Sequence, residues 1–140
     1  MKRKRSLKIK KKTMKKIKSI LLYLWQLPQN LLGLLLRLIY KGNDSEYNDV
    51  IVRRSTKMGG GISLGRYIII NQWSSEKTVK HEYGHTLQSK RLGWFYLLFV
   101  GLPSILWASM YGTLIKRTTN GYYKFFTERW ADKLGGVKRK

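Results

Sequence analysis

Apolar positions fall into two long blocks, residues 20–40 and 92–115, and between them come shorter runs with a different rhythm. Residues 50–54 read as a short strand. Residues 62–70, entered through the glycine turn Gly59-Gly60-Gly61, read as a strand rich in β-branched residues. Two or three strands are the most this region supports. Residues 41–49 are polar, hold Asp44, Glu46 and Asp49, and read as a linker. Asn71, Ser74 and Ser75 offer N-cap oxygens and Glu76 suits a first turn, so a helix is predicted over 77–91. Gly121 marks a turn before a last helix over 123–134, which Gly135-Gly136 would stop. The pattern predicts an α+β chain, mainly helical. Its parts are a basic tail (1–19), an apolar membrane-associated segment (20–40) and one folded domain (41–140).

The two apolar blocks differ. Pro28, with Gln26, Gln29, Asn30 and Arg37 around it, makes a straight transmembrane helix over 20–40 costly and leaves a kinked span, a shallow hairpin or an interfacial helix. Residues 92–115 carry no charge and are long enough to cross a bilayer once, although runs of this length also form buried cores. The aromatics Trp94, Phe95, Tyr96, Trp107 and Tyr111 favour an interface.

Charge sharpens this picture. The 140 residues hold 29 Lys and Arg against 7 Asp and Glu, a net +22, with 11 of the basic residues in positions 1–19. Such a chain is drawn to anionic partners. The remaining basic residues are scattered and form no compact reading surface, which weighs against nucleic acid and for an anionic membrane surface. The Lys-rich start points to a cytoplasmic N-terminus and a cytoplasm-facing site at a bacterial-type cell membrane. The absence of cysteine excludes disulfides, Cys-type zinc sites and thiol nucleophiles. Gly59-Gly60-Gly61 lacks a following Gly-Lys-Ser/Thr and a helix, which argues against a phosphate cradle.

The candidate chemistry lies in His81-Glu82-Tyr83-Gly84-His85, which uses both histidines of the chain. Four residues apart on a helix, two imidazoles project from one face and reach one Zn²⁺, while Glu82 lies beside the metal as general base. By residue frequencies this pattern arises by accident on the order of once in a few hundred chains of this length. A catalytic zinc takes three protein ligands, so the third must be a carboxylate. Glu128 and Asp132, four apart in the last helix, fit best: Glu128 as ligand, Asp132 accepting from the outer N–H of a histidine. Ala131 would let the two helices approach closely.

His81-Glu82-x-x-His85 with Glu128-x-x-Ala131-Asp132-x-x-Gly135 resembles the gluzincin metallopeptidases, in particular the membrane-associated family of the CaaX prenyl-protein endopeptidases and the bacterial heat-shock membrane protease. The resemblance implies a zincin-like fold. It implies that His81, His85 and Glu128 bind one zinc, that Glu82 is the catalytic base, that Asp132 supports a ligand, and that an edge strand aligns extended substrate. Members of that family usually continue well past this last helix, whereas eight residues follow Asp132 here. An oxyanion-stabilising group would therefore come from Tyr111, Tyr122, Tyr123 or an arginine.

One crossing by 92–115 would put His85 and Glu128 on opposite sides of a bilayer, so a hydrophobic helical hairpin is expected, broken near Gly101-Leu102-Pro103-Ser104. The resulting expectation is a small membrane-associated zinc metalloprotease that hydrolyses peptide bonds of peptide or membrane-protein substrates by zinc-activated water. The rivals are a non-catalytic, zinc-stabilised membrane or interaction protein and a basic nucleic-acid-binding module.

Overall fold

A computed structural model describes residues 2–115 and 119–140. The chain is mixed α+β and mainly helical, around one four-stranded sheet. The strands are β1 (Asn43–Tyr47), β2 (Val50–Ser55), β3 (Gly61–Leu64) and β4 (Tyr67–Asn71), in spatial order β1-β2-β4-β3. β1–β2 and β3–β4 are antiparallel hairpins, and β2 and β4 pair in parallel, with Val52 opposite Ile68 and Arg54 opposite Ile70. β3 is left as an edge.

The region expected to be one strand over 62–70 is thus two strands. Gly65, at φ +62°, turns the chain where an L side chain would be strained. The linker expected over 41–49 contains β1, whose Asn-Asp-Ser-Glu sequence has poor β-propensity and is ordered by its partner β2. Asn48, at φ +53°, supplies the tight turn between them.

Helix α1 (Lys2–Trp25) and helix α2 (Leu27–Ile39) meet at an 85° bend, with Pro28 in the first turn of α2 where its missing N–H costs least. The polar residues that made a straight span costly face protein. Gln26, Gln29 and Asn30 are fully buried. Gln29 Nε2 donates to Ser89 Oγ and Gly93 O, and Ser89 Oγ donates to Gln26 Oε1. Asn30 Oδ1 accepts from Arg66 N at the β3–β4 turn, which docks α2 on that hairpin. Gly33 makes the approach possible, since a Cβ there would lie 2.6 Å from Leu64 O.

On one face of the sheet Val50, Val52, Ile68 and Ile70 pack with Val79 of helix α3 (Glu76–Leu92), and Tyr47 and Tyr83 border them. Among the three candidate caps Ser75 is the one used, accepting from Thr78 N. After a 3₁₀ turn at Gly93–Phe95 the chain runs helically from Leu97, through a π turn (Leu97–Gly101) and helix α4 (Leu102–Met110), into a second π turn (Tyr111–Ile115). The hairpin break expected at 101–104 is absent. Leu102 N bonds five residues back to Leu97 O, and Pro103 enters in the first turn of α4, so the helix absorbs the proline as a π turn.

By the short helix α5 (Thr119–Tyr122) the chain is heading back: Trp107 Nε1 donates to Tyr122 O, Trp107 stacks on Phe125, and Ser104 Oγ donates to Thr127 Oγ1. The last helix, α6 (Phe126–Gly135), begins three residues after the predicted start and packs along α3. It ends at Gly136 in the left-handed region, with Val137 N bonded to Asp132 O. The alternative of a buried core segment fails: only 6% of the window Leu97–Leu114 is buried.

Candidate metal centre

α3 turns His81 and His85 towards α6 and Glu82 towards β3, and α6 presents Glu128 and Asp132 in return. All five are buried. The helices come this close because small residues line the contact: a Cβ on Gly84 would lie 1.9 Å from Ala131 O, and one on Gly135 2.0 Å from Lys80 O. Ala131 is fully buried there, in the close approach expected of it.

His81 Nε2 is 3.1 Å and His85 Nε2 3.3 Å from the same atom, Glu128 Oε2. One ligand atom from each residue lies within 4.8 Å of the others, so the group could hold a metal ion. Ligands about 2.05 Å from a tetrahedral ion are roughly 3.3 Å apart, which matches these separations.

The outer nitrogens decide what the inner ones can be. His81 Nδ1 lies 2.7 Å from Asp132 Oδ1, and His85 Nδ1 2.7 Å from Gln88 Oε1. Gln88 Nε2 donates to Thr127 O, which fixes the amide so that its oxygen faces the ring. Both Nδ1 atoms therefore donate. Neutral imidazoles then turn Nε2 lone pairs towards a carboxylate oxygen, three buried acceptors facing one another. A cation among them, or a proton on the imidazoles, relieves this repulsion.

With protons on the imidazoles the contact becomes attractive. Burial pushes the Glu128 carboxyl up, but hydrogen bonds from His81 and His85 outweigh it and hold the group well below the usual carboxylate range. Burial lowers His85, and Glu128 and Glu82 together reverse the shift and raise it. The other Glu128 oxygen, Oε1, accepts from Thr127 Oγ1, which in turn accepts from Ser104.

Glu82 sits beside this group, held by Ser63 Oγ at 2.7 Å from its Oε2. Ser63 belongs to the edge strand β3. On the same strand a Cβ at Gly61 would fall 2.3 Å from Glu82 Oε1, so the glycine makes room for the carboxylate. His81, Glu82, His85 and Glu128 all open onto a cavity of about 800 Å³. β3 forms one wall; Leu32, Leu35 and Leu36 of α2, and Leu97, Leu102 and Ile105 beyond α3, form apolar ones.

Of the sequence candidates for an oxyanion donor, Tyr122 and Tyr123 line this cavity, whereas Tyr111 stands behind them, against Tyr122 and Trp107. Burial, with the Glu128 and Glu82 charges adding to it, raises the Tyr122 phenol and keeps it a donor. Arg139 Nε and Nη2 donate to Asp132 at 2.6 and 2.9 Å, and its guanidinium lies over the Tyr123 ring.

Sequence reading missed Ser63, Gln88, Tyr96, Thr127 and Arg139. Gln88 had a signal, one turn after His85 on the same helix. Ser63 and Tyr96, whose hydroxyl donates to Ser63 O, are joined to the site only by tertiary packing and had none. Comparison with known proteins finds no family model, no curated protein and no solved structure that matches this chain.

Proposed function

We propose that the chain is a membrane-associated zinc metallopeptidase of zincin type that hydrolyses peptide bonds. The observation that carries this is the convergence of two imidazole Nε2 atoms and one carboxylate oxygen in a buried site, with both Nδ1 atoms committed to acceptors and a second, non-converging carboxylate beside them on a cavity. His81, His85 and Glu128 would hold the ion, and the imidazole-rich, cysteine-free donor set suits zinc. Zinc supplies, when bound, polarisation of the scissile carbonyl and a water acidic enough to attack near neutral pH.

The chain's own groups do the rest. Glu82 takes the proton as the water oxygen bonds to the carbonyl carbon, and gives it to the amine nitrogen as the C–N bond breaks. Ser63 fixes the carboxylate for both transfers. The Tyr122 phenol, which lines the same cavity, would donate to the oxyanion. β3 is an antiparallel edge strand beside the cavity along which an extended peptide would lie, and the apolar walls suit its apolar side chains. The exposed apolar run Leu97–Leu114 supports membrane attachment and, with it, peptide or membrane-protein substrates.

Metal analysis of the detergent-purified chain tests the reading. About one zinc per chain is expected, lost in His85→Ala and Glu128→Ala. Glu82→Gln should retain the zinc and the thermal stability but lose peptide hydrolysis by at least about a hundredfold. Zinc without any Glu82-dependent hydrolysis would instead favour the non-catalytic, zinc-stabilised rival, and no zinc would remove both.

A further inference from the structure

α1 is a 24-residue helix, about 36 Å long, that leaves the body at a fixed angle. Trp25 Nε1 donates to Lys90 O and Trp94 Nε1 to Leu24 O, pinning its C-terminal end to the end of α3. Residues 3–21 are exposed throughout. Leu7, Met14, Ile17, Leu21 and Leu24 fall on one side of the helix by their spacing, each between 45% and 60% exposed. The other sides carry the remaining nine lysines and arginines of residues 2–18 together with Ile9, only Arg3 and Lys10 falling on the apolar side, and there is no acid anywhere on the helix. Like charges recur four apart, as at Lys8 and Lys12, Lys11 and Lys15, or Lys12 and Lys16, and in water each such pair opposes the helix.

A partner that offers negative charge and an apolar layer along one plane removes both costs. We propose that α1 is a docking surface for an anionic lipid bilayer, lying in the headgroup plane with its apolar side inward and its lysines on the lipid phosphates. Charge complementarity selects an anionic partner. The apolar stripe, continuous in character with the exposed Leu97–Leu114 run, selects lipid over the phosphate backbone of a nucleic acid, which has no use for it. The inference rests on the membrane placement proposed above and not on the zinc chemistry.

The chain has no cysteine, so single spin labels report cleanly. The full chain carrying Met14→Cys, Lys12→Cys or Leu106→Cys is reconstituted in phosphatidylcholine vesicles, with or without one third phosphatidylglycerol. Accessibility of each label to oxygen and to a water-soluble nickel complex is then read. In anionic vesicles the label at 14 should favour oxygen and that at 12, on the opposite side, nickel. The contrast should collapse in neutral vesicles or high salt, and the affinity of α1 should fall roughly fivefold for each lysine changed to glutamine among Lys8, Lys11, Lys15 and Lys18. A lipid-exposed label at 106 with no contrast between 12 and 14, or equal contrast in neutral vesicles, would overturn this inference and leave the membrane placement standing. Water exposure at all three positions would overturn both. Protection of 12 and 14 by duplex DNA or RNA but not by anionic vesicles would assign α1 to nucleic acid instead.

Discussion

A methyl group on Gly61 would sit 2.3 Å from Glu82 Oε1, at the end of a flexible side chain and not against backbone. The carboxylate can swing away, so the fold tolerates the change, but only by breaking the 2.7 Å bond to Ser63 that aims it. Gly61→Ala should therefore keep its zinc and melt within about 0.5 kcal/mol of the parent chain, while hydrolysis falls by about 10²-fold because a misplaced base loses its proton-transfer advantage. Parallel zinc analysis, melting and peptide hydrolysis check this; loss of zinc or of stability would show that the glycine serves packing. The same scale shows what a sequence hides. Two histidines four apart, or Glu128 and Asp132 four apart, are visible because one helix sets their geometry. The hydroxyl that holds Glu82 comes from a strand 19 positions upstream, and no local pattern announces it.

Between elements, the site depends on how closely α3 and α6 lie. Gly84 faces the backbone of Ala131, not a side chain that could move, so Gly84→Ala must push the helices apart. The expected result is a loss of about 1–3 kcal/mol together with loss of zinc, since the Glu128 carboxylate moves with α6. Gly59→Ala, where a Cβ would meet nothing, is the matched control. A second junction is electrostatic. Asp44 of β1 pairs with Arg53 of β2 and Arg37 of α2, joining the hairpin to the end of α2. Hydrogen bonding from Arg53, only partly opposed by burial, lowers the Asp44 carboxyl to about 2. A folded pKa below the unfolded value stabilises the fold above about pH 4 and ceases to do so as the pH falls towards 2. Asp44→Asn should flatten the pH dependence of melting in that window and leave melting near neutral pH reduced by no more than about 1 kcal/mol. A parent-like acid profile in the variant would show that the junction contributes nothing. β1 itself was illegible in advance because Asn-Asp-Ser-Glu reads as a loop until its partner strand and these arginines are in place.

For the whole molecule, the mixed α+β, mainly helical class followed from periodicity, whereas the fourth strand, the helix over the basic tail and the path of the apolar segment did not. A proline and a glycine at 101–104 usually mark a break, yet the helix passes through them by changing register, and Tyr122, Phe125 and Thr127 pack back against it at Trp107 and Ser104. That path leaves Leu98, Phe99, Leu106 and Met110 more than half exposed, along a helix almost none of which is covered by protein. A contiguous apolar surface of this size is a liability in water and an anchor in lipid. The chain is therefore expected to stay with membranes through both high-salt and alkaline carbonate washes. Replacing those four residues by glutamine should leave α1 to bind mainly through its charge, so the variant is released by high salt while keeping one zinc per chain, because none of the four belongs to the metal centre or lines its cavity. Salt resistance equal to that of the parent would move the anchor to α2. Release of the parent by salt alone would make the molecule a peripheral protein held by charge, and would turn the apolar helix towards another protein instead of the bilayer.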